Sequence, residues 1–398
     1  MTLTTDVFFG EGEEMDYRNI FKELGYDEEA VAKRVRECFD TIYNGPEGVR
    51  FYENVGDDMG YITDTGNDDV RTEGMSYAMM VCVQMDEKEK FDRIWSWTKK
   101  YMWIPEGYNS GYFKWSCSLD GTVRGHGPAP DGEEYFAMAL FFASHRWGDG
   151  EGIFNYSFEA KEILKACIHN GEGSREGFPM WNHDNHYIKF TPETEFSDTS
   201  YHLPHFYELF AKWAYEEDRD FWKKAAEASR EYIVKSSHPV TGLSPEYSDY
   251  DGKPANSEWA IKYKQRHDWF FSDAYRTIAN IAMESCWCGE NPELADIAAK
   301  IQRFFIEDRN GIMDGIYEID GTLVEEHAKH NVGLLATNAE GSLAVFMNTK
   351  ADKKSLDYAE RCVRLLWDTP MQTGKYRYYD NCLYMFAMLA LSGHYRIW

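Results

Sequence analysis

Two segments of the chain are apolar on every face that a helix would present. Residues 135–144 read Tyr-Phe-Ala-Met-Ala-Leu-Phe-Phe-Ala-Ser, and residues 382–391 read Cys-Leu-Tyr-Met-Phe-Ala-Met-Leu-Ala-Leu. A helix that is apolar all round must be buried, whereas a helix with one polar face lies at a surface. Both segments are too short to cross a bilayer. We therefore expect them to lie inside a shell of other helices.

Helix-like segments of these two kinds alternate along the chain. Residues 88–100, for example, are amphipathic, with their charged side chains on one face. Hydrophobic periodicity and helix-breaking residues predict about twelve helices, with ends placed to within roughly four residues: 17–43, 74–86, 88–103, 133–147, 158–170, 203–217, 219–236, 273–288, 292–306, 333–349, 353–368 and 381–393. Six outer helices alternating with six inner helices predict an all-α (α/α)6 barrel.

The chain of 398 residues contains no Pro/Gly/Ser-rich linker that would divide it. We therefore expect a single domain over residues 1–398. Strand signals are few. The segments 105–131, 171–202 and 237–272 are long, aromatic and without a helical pattern. Loops of that length in a compact domain usually carry function.

The bulk composition excludes several classes of partner. The net charge of −26 disfavours nucleic acid and anionic membranes. Residues 1–14 contain no basic start and no apolar run, so we expect no secretory signal. The eight cysteines lie mostly in apolar helical segments, which indicates reduced core thiols of a cytoplasmic protein. Aromatic residues make up 16% of the chain, which suits a carbohydrate site and a large helical core equally well.

A polar side chain lies at the predicted start of every inner helix. In chain order these residues are Glu73, Asp131, Tyr201, Asp273, His330 and Asp380. Inner helices of such a barrel run parallel, so their starts meet at one end and the six side chains are expected to converge there. The alternative is that these residues only cap the helices, since Asp is favoured at that position.

The acidic members of this set suit glycoside hydrolysis, which requires an acid for the leaving oxygen and a second carboxylate. A helix N-terminus favours an ionised carboxylate, which suits Asp273 as a base and disfavours Glu73 as an acid. Burial and a neighbouring charge, such as that of Asp131, would have to raise the pKa of Glu73. Arg276, one helical turn after Asp273, is predicted either to hold these carboxylates or to form a surface salt bridge.

Several motifs resemble glycoside hydrolase family 8, over a stretch from about residue 17 to the last residue. They are Arg71-Thr-Glu-Gly-Met-Ser-Tyr77, Gly111-Tyr-Phe-Lys-Trp-Ser-Cys117, Gly127-Pro-Ala-Pro-Asp-Gly-Glu-Glu-Tyr135, Phe196-Ser-Asp-Thr-Ser-Tyr-His-Leu-Pro-His-Phe206, Phe271-Ser-Asp-Ala-Tyr-Arg276 and Arg377-Tyr-Tyr-Asp-Asn-Cys382. The resemblance is strongest to reducing-end xylose-releasing exo-oligoxylanases. It implies an (α/α)6 barrel and an inverting mechanism, with xylose cut from short β-1,4-xylo-oligosaccharides and no cofactor.

The resemblance also implies roles for individual residues. Glu73 matches the general acid and Asp273 the general base, while Asp131 matches the carboxylate that holds the distorted sugar. Tyr201 matches the tyrosine that positions the attacking water. Two further positions match substrate-contacting residues of the family, namely Trp115 as an aromatic platform and His330 as the wall beyond the reducing-end sugar.

Two departures from the family pattern lie near these positions. Asn331 stands where the family has a proline, and the chain is longer around residues 256–268. Further candidate sugar contacts are Trp181, which is equally compatible with loop packing, and Tyr378, Tyr379 and Asp380, the last of which also suits a helix cap. Closely spaced histidine pairs lack a third ligand at a sensible position, so no metal is predicted.

Three other functions remain open on sequence alone. One is an endo-acting enzyme of the same family on xylan, glucan or chitosan. A second is an (α/α)6 sugar epimerase, which the preponderance of carboxylates over histidines disfavours. A third is a non-catalytic carbohydrate-binding protein. The oligomeric state is not predicted.

Overall fold

The computed structural model describes residues 17–398, apart from the side chain of Trp259. Residues 1–16, on which the prediction about a secretory signal rests, lie outside the described residues. The described chain is mainly helical, and its helices form an (α/α)6 barrel. The predicted fold class is therefore confirmed.

Six inner helices form a closed ring in which each helix contacts the next and the last contacts the first. The inner helices are predominantly buried, and in the last of them every residue from Tyr378 onward is buried. This burial is what their all-round apolar sequences require. The inner helices are Thr72–Met85, Pro130–Trp147, Pro204–Trp213, Arg276–Cys288, Asn331–Glu340 (continued by Ser342–Met347) and Arg377–Leu391.

Six amphipathic helices form the outer layer, and each buries one stripe of apolar side chains against the inner ring. They are Glu28–Tyr43, Lys88–Tyr101, Tyr156–His169, Arg219–Ser236, Pro292–Arg303 and Lys353–Asp368. Short helices occupy Ile20–Glu23 and Glu258–Lys262. Tight 3₁₀ turns occupy Gly152–Phe154, Thr199–Tyr201, Glu216–Asp218 and Ser272–Tyr275, and a wider π-helical turn occupies Phe304–Asp308.

The strands are short, antiparallel and confined to the connections between helices. Tyr52–Val55 pairs with Met59–Ile62, and Ser116–Cys117 lies between Val70–Arg71 and Val123–Gly125. Ser197–Asp198 pairs with Tyr247–Ser248, and Ile316–Tyr317 with Leu323–Glu325. Three of these small sheets hold the chain immediately before or beside the start of an inner helix, so they position the residues at that end of the barrel.

The helix boundaries differ from the sequence prediction in a few places. The predicted helix 17–43 is broken at Gly25, whose φ of 89° lies in the left-handed region that ends helices. The last inner helix begins at Arg377, four residues before its predicted start. Consequently Tyr378, Tyr379 and Asp380 lie inside its first turn and project from the helix itself.

The inner and outer helices begin in different ways. Four outer helices have an Asp or Asn cap whose side chain accepts a hydrogen bond from the first turn. Within the described chain, none of the six inner helices has such a cap. The polar residues at the inner helix starts are therefore not conventional N-caps, and their side chains are directed to other partners.

Candidate active site

The guanidinium of Arg276 lies at the centre of the site and joins three carboxylates from three different inner helix starts. Its Nη1 atom is 3.0 Å from Asp131 Oδ2 and 3.3 Å from Glu73 Oε2, and its Nη2 atom is 3.5 Å from Asp273 Oδ1. Only 5% of the Arg276 side chain is exposed, so this is a buried ion cluster and the surface alternative is wrong. The three acids are thus brought together as the convergence of the inner helices requires.

The separation of Glu73 and Asp273 is limited by their shared contact. Because one planar guanidinium reaches both carboxylates, their nearest oxygens lie at most about 9 Å apart, so the gap between them does not exceed the roughly 6.5–9.5 Å range of inverting glycosidases. Both residues also line one open cavity of about 370 Å³. They therefore face the same space, as a general acid and a general base must.

Glu73 has the electrostatic environment of an acid. It lies in the first turn of the helix Thr72–Met85, and burial raises the pKa of its carboxyl to about 7. Arg276 lowers this pKa, whereas the neighbouring charges of Asp131 and Asp273 raise it. The tyrosine hydroxyl of Tyr378 donates a hydrogen bond to Glu73 Oε1 at 2.7 Å and also lowers the pKa. Burial outweighs the helix N-terminus, so a protonated fraction persists near neutral pH.

Asp131 is fixed in position and largely inaccessible. Its Oδ1 accepts a hydrogen bond from the backbone N–H of Gly132 at 2.9 Å, and its Oδ2 accepts from Arg276. Burial raises the pKa of this carboxyl, and the positive charge of Arg276 opposes that rise. The ring of Tyr201 lies 5.5 Å from the same guanidinium and stacks against Phe190. Asp131 and Tyr201 therefore both contact the guanidinium of Arg276, which also contacts Glu73 and Asp273.

Asp273 is the most open of the three acids, with 31% of its side chain exposed. It lies in the tight turn Ser272–Tyr275, and its backbone N–H donates a hydrogen bond to Glu246 Oε1 at 3.3 Å. The other oxygen of Glu246 is 2.9 Å from Nδ1 of His267. An acid that contacts solvent and is held through its backbone keeps its carboxylate oxygens available to a water.

His330 lines the same cavity. Nδ1 of His330 lies 3.2 Å from Asp380 Oδ2, and its ring meets Tyr379 edge to face with the ring centroids 5.0 Å apart. Asp380 is fully buried, and its other oxygen accepts from the backbone N–H of Gly333. Asp380 thus caps the neighbouring inner helix and orients His330, and it does not face the cavity. Tyr379 donates to the carbonyl oxygen of Ser272 at 3.0 Å.

Trp115 is a partly exposed ring beside the Glu73 helix. Its carbonyl oxygen accepts from the N–H of Thr72 at 3.0 Å, and the guanidinium of Arg71 lies 5.2 Å from its ring. The ring packs on Gly125, where a Cβ atom would lie 2.1 Å from the indole nitrogen. Trp115 is 38% exposed, and its ring packs against Gly125. A sugar platform requires such a ring, with one part packed on the protein and another part open to solvent.

Trp181 lies in the protein core and does not line this cavity. It is fully buried, and its ring meets Tyr207 and Trp222 edge to face with centroids 5.6 and 4.9 Å away. No face of the ring is open to a ligand, so of the two interpretations of this residue the structure supports packing. The prediction that Trp181 contacts a sugar is therefore corrected, because its ring is buried.

The histidine pairs have structural partners. His202 is buried, with Nε2 2.9 Å from Ser197 Oγ and Nδ1 2.8 Å from Ser229 Oγ. His205 packs in the core against Phe206 and Trp287. Burial lowers the pKa of each of these histidines to about 3. Within residues 17–398, no three His, Cys, Asp or Glu side chains are grouped so as to hold a metal ion.

The sequence analysis missed two residues of this site. Tyr77 accepts a hydrogen bond from Arg276 Nη1 at 2.8 Å, and its position one helical turn after Glu73 could have indicated it. Glu246 comes from the long segment 237–272, for which the sequence predicts a functional loop without indicating a particular residue. Nothing local to Glu246 indicates that it meets the backbone of Asp273.

Comparison with known families agrees with this geometry. The model of glycosyl hydrolases family 8 matches residues 39–393. The chain belongs to this family. The three acids, Arg276 and the residues that line the cavity of this family 8 chain all lie within the matched range.

Two curated relatives of this family 8 chain carry the name reducing end xylose-releasing exo-oligoxylanase. The one from Halalkalibacterium halodurans is 56% identical over 96% of this chain and 95% of its own length. The one from Bifidobacterium adolescentis is 51% identical over the full length of both chains. A crystal structure of a reducing-end-xylose releasing exo-oligoxylanase complexed with xylose is 55% identical over 96% of this chain and 98% of its own, with a TM-score of 0.90.

Proposed function

We propose that this family 8 enzyme releases xylose from the reducing end of short β-1,4-xylo-oligosaccharides with inversion at the cleaved carbon. The observation that carries the proposal is the pair Glu73 and Asp273, which face one cavity that His330 also lines. The names of relatives more than half identical over nearly the whole chain support the same substrate class.

Glu73 is the proposed general acid. Its raised pKa keeps a proton available near neutral pH, and that proton passes to the glycosidic oxygen as the bond to the leaving xylose breaks. Tyr378 orients the carboxyl through the hydrogen bond to Oε1. The other carboxyl oxygen, Oε2, contacts the guanidinium of Arg276, which also contacts Asp131 and Asp273.

Asp273 is the proposed general base. Its exposed carboxylate takes a proton from a water, and the resulting hydroxide attacks the anomeric carbon from the face opposite the leaving oxygen. Tyr201 is proposed to hold this water. Asp131 is proposed to bind the distorted sugar at the cleavage point, where its negative charge also stabilises the positive charge that develops on the ring.

His330 and its neighbours are proposed to restrict the leaving side of the site to one sugar. Asn331, which replaces the family's proline, is the first residue of its helix. At this position the backbone N–H has no partner within the helix, which is why proline is also favoured there. His330 is held by Asp380 and Tyr379, so the exchange at residue 331 leaves this wall supported. The extra length at 256–268 contains the short helix Glu258–Lys262.

Product analysis on xylotriose tests the proposal. We expect equal amounts of xylose and xylobiose, with no cleavage after the reducing end has been converted to an alditol by borohydride. The reduced sugar is the matched control, since it keeps both glycosidic bonds and loses only the terminal ring. Cleavage of reduced xylotriose, or mixed internal products from xylohexaose, would contradict the reducing-end specificity and favour an endo-acting enzyme.

We also propose a cytoplasmic location and one catalytic domain over residues 1–398. In the described chain, all eight cysteines are free thiols, and six of them are buried. Among residues 17–398, no helix is long and apolar enough to span a membrane. Cell fractionation with an antibody against the protein tests the location, and recovery in the culture medium would contradict it.

A further inference from the structure

A buried chain of contacts leads from the backbone of Tyr201 into the barrel. The hydroxyl oxygen of Tyr207 is 3.1 Å from the carbonyl oxygen of Tyr201 and also contacts Glu134 Oε1. Both Tyr207 and Glu134 are almost completely inaccessible to solvent. Glu134 lies one helical turn after Asp131 and takes no part in the chemistry proposed above.

Counting protons along this chain links the protonation state of Glu134 to the direction in which the Tyr207 hydroxyl points. A tyrosine hydroxyl carries one proton, and a backbone carbonyl can only accept. If Tyr207 donates to the carbonyl of Tyr201, its contact with Glu134 is a hydrogen bond only when the carboxyl is the donor. Burial raises the pKa of Glu134 well above its ordinary value, in agreement with a carboxyl that keeps its proton.

Glu134 also lines a small internal cavity. It measures about 20 Å³, which is room for one water, and its lining includes Glu134, Ser200 and Arg276. Each of these three carries a buried polar atom that makes no hydrogen bond to another described residue, namely Glu134 Oε2, Ser200 Oγ and Arg276 Nη2. Nη2 has only its 3.5 Å ion pair with Asp273. One water in this cavity would accept from Arg276 and donate to Glu134 and Ser200, which would give all three atoms a hydrogen-bond partner.

We propose that Glu134 is a neutral positioning residue, which holds the Tyr201 backbone through Tyr207 and the Arg276 guanidinium through one buried water. The catalytic consequence rests on the proposed function, since Tyr201 and Arg276 matter through the roles given to them there. The protonation state and the water do not depend on it.

The neutral form has a specific advantage at this position. Arg276 already shares its single positive charge among Glu73, Asp131 and Asp273. An ionised Glu134 would compete with them and would raise the pKa of Glu73 and Asp131 further. A neutral carboxyl supplies one donor and one acceptor without adding charge, so it fixes both neighbours and leaves the electrostatics of the acids unchanged.

Three variants test the positioning role. Glutamine reproduces the donor and acceptor of a neutral carboxyl, so we expect Glu134→Gln to keep kcat within about threefold and to keep the pH profile. Glu134→Met removes both groups, and we expect kcat to fall about 100-fold with little change in KM, as misplacement of a catalytic group does. Glu133→Met is the matched control, because Glu133 is equally buried in the same helix and its carboxyl accepts from Phe113 N. We expect it to lower Tm while keeping kcat.

A spectroscopic readout decides the protonation state independently of activity. In infrared difference spectra at neutral pH, we expect Glu134→Gln to remove one band of a protonated carboxyl, and a crystal structure to show a water beside Arg276 Nη2. A difference spectrum without that band would overturn the proposal, as would loss of kcat in Glu134→Gln equal to that in Glu134→Met. If Glu134→Met does not fold, the glutamine variant decides alone. Failure of the substrate proposal would leave the infrared result unchanged.

Discussion

The hydroxyl of Tyr378 donates a hydrogen bond to Oε1 of Glu73 at 2.7 Å, and both residues line the cavity. The two residues are the first-turn residues of adjacent inner helices, which contact each other where the ring of helices closes. This hydrogen bond favours the ionised form of Glu73, in opposition to the burial that raises its pKa to about 7. The acid is therefore balanced between the two states in the neutral range.

Replacement of Tyr378 by phenylalanine tests this balance. Loss of the donor raises the pKa of Glu73 further, by roughly one unit. A general acid works in its protonated form, so activity falls as the pH rises through this pKa and the alkaline limb of kcat/KM should move to higher pH. Tyr376→Phe, a ring of the same cavity without a contact to Glu73, is the control. An alkaline limb that stays in place would show that another group governs it.

Removal of either facing carboxylate should abolish most turnover. Glu73→Ala and Asp273→Ala each delete a proton-transfer group, and such groups contribute about 10²–10⁴-fold to rate. Far-UV circular dichroism should remain that of the parent chain, because both residues lie at the open end of the barrel. Asp308→Asn, at an exposed carboxylate paired with Arg303, is the control and should keep its activity. Near-normal kcat in either alanine variant would refute the assigned role.

Replacement of His330 should open the leaving side of the site. If His330, held by Asp380 and Tyr379, forms the proposed wall, loss of its ring leaves a gap, so we expect His330→Ala to release xylobiose as well as xylose from xylotetraose. His327→Ala is the matched control, since His327 is highly exposed and paired with Asp314. Chromatography of early products measures the ratio. An unchanged ratio in His330→Ala would mean that other residues form the wall.

Two tryptophans should respond in opposite ways. Trp115 is partly exposed, so Trp115→Ala should raise KM by about tenfold with a small effect on Tm, since a sugar loses one stacked ring. Trp181 is fully buried, so Trp181→Ala should cost about 3–5 kcal/mol of unfolding free energy through the cavity it leaves. Steady-state kinetics and thermal unfolding on both variants compare them. A KM effect at Trp181 larger than at Trp115 would reverse the assignment.

The buried carboxyl of Glu340 should make stability depend on pH. It is 2% exposed, and burial raises its pKa well above the ordinary value. A carboxyl whose pKa is raised on folding costs no stability below its unfolded pKa of about 4.3, and the cost grows as pH rises from there towards the folded pKa. Glu340→Gln should therefore raise Tm by about 2–4 °C at pH 8 and by less at pH 5. Glu47→Gln, at an exposed site, should shift Tm equally at both pH values. A pH-independent gain at Glu340 would contradict a raised pKa of this carboxyl in the folded state.

The barrel itself was predictable from the sequence, because each helix carries its own pattern of apolar and polar residues. The ranges predicted for Arg219–Ser236 and Lys353–Asp368 are those of the structure. The segment 382–391 is apolar on all sides, and this local property is sufficient to place it inside. The side chains at the inner helix starts followed from the same pattern, since parallel helices bring their first turns to one end.

Only the tertiary structure decided how those side chains are used. The contact of Glu246 with the backbone of Asp273 joins residues 27 positions apart through a loop without periodicity, and Trp181 gave no local sign of its burial. The pKa of Glu73 depends on burial by neighbouring helices and on charges from Arg276 and Asp131, which are remote in the chain. Hydrophobic patterning is a property of each segment, whereas distances, burial and electrostatics arise only when the segments pack.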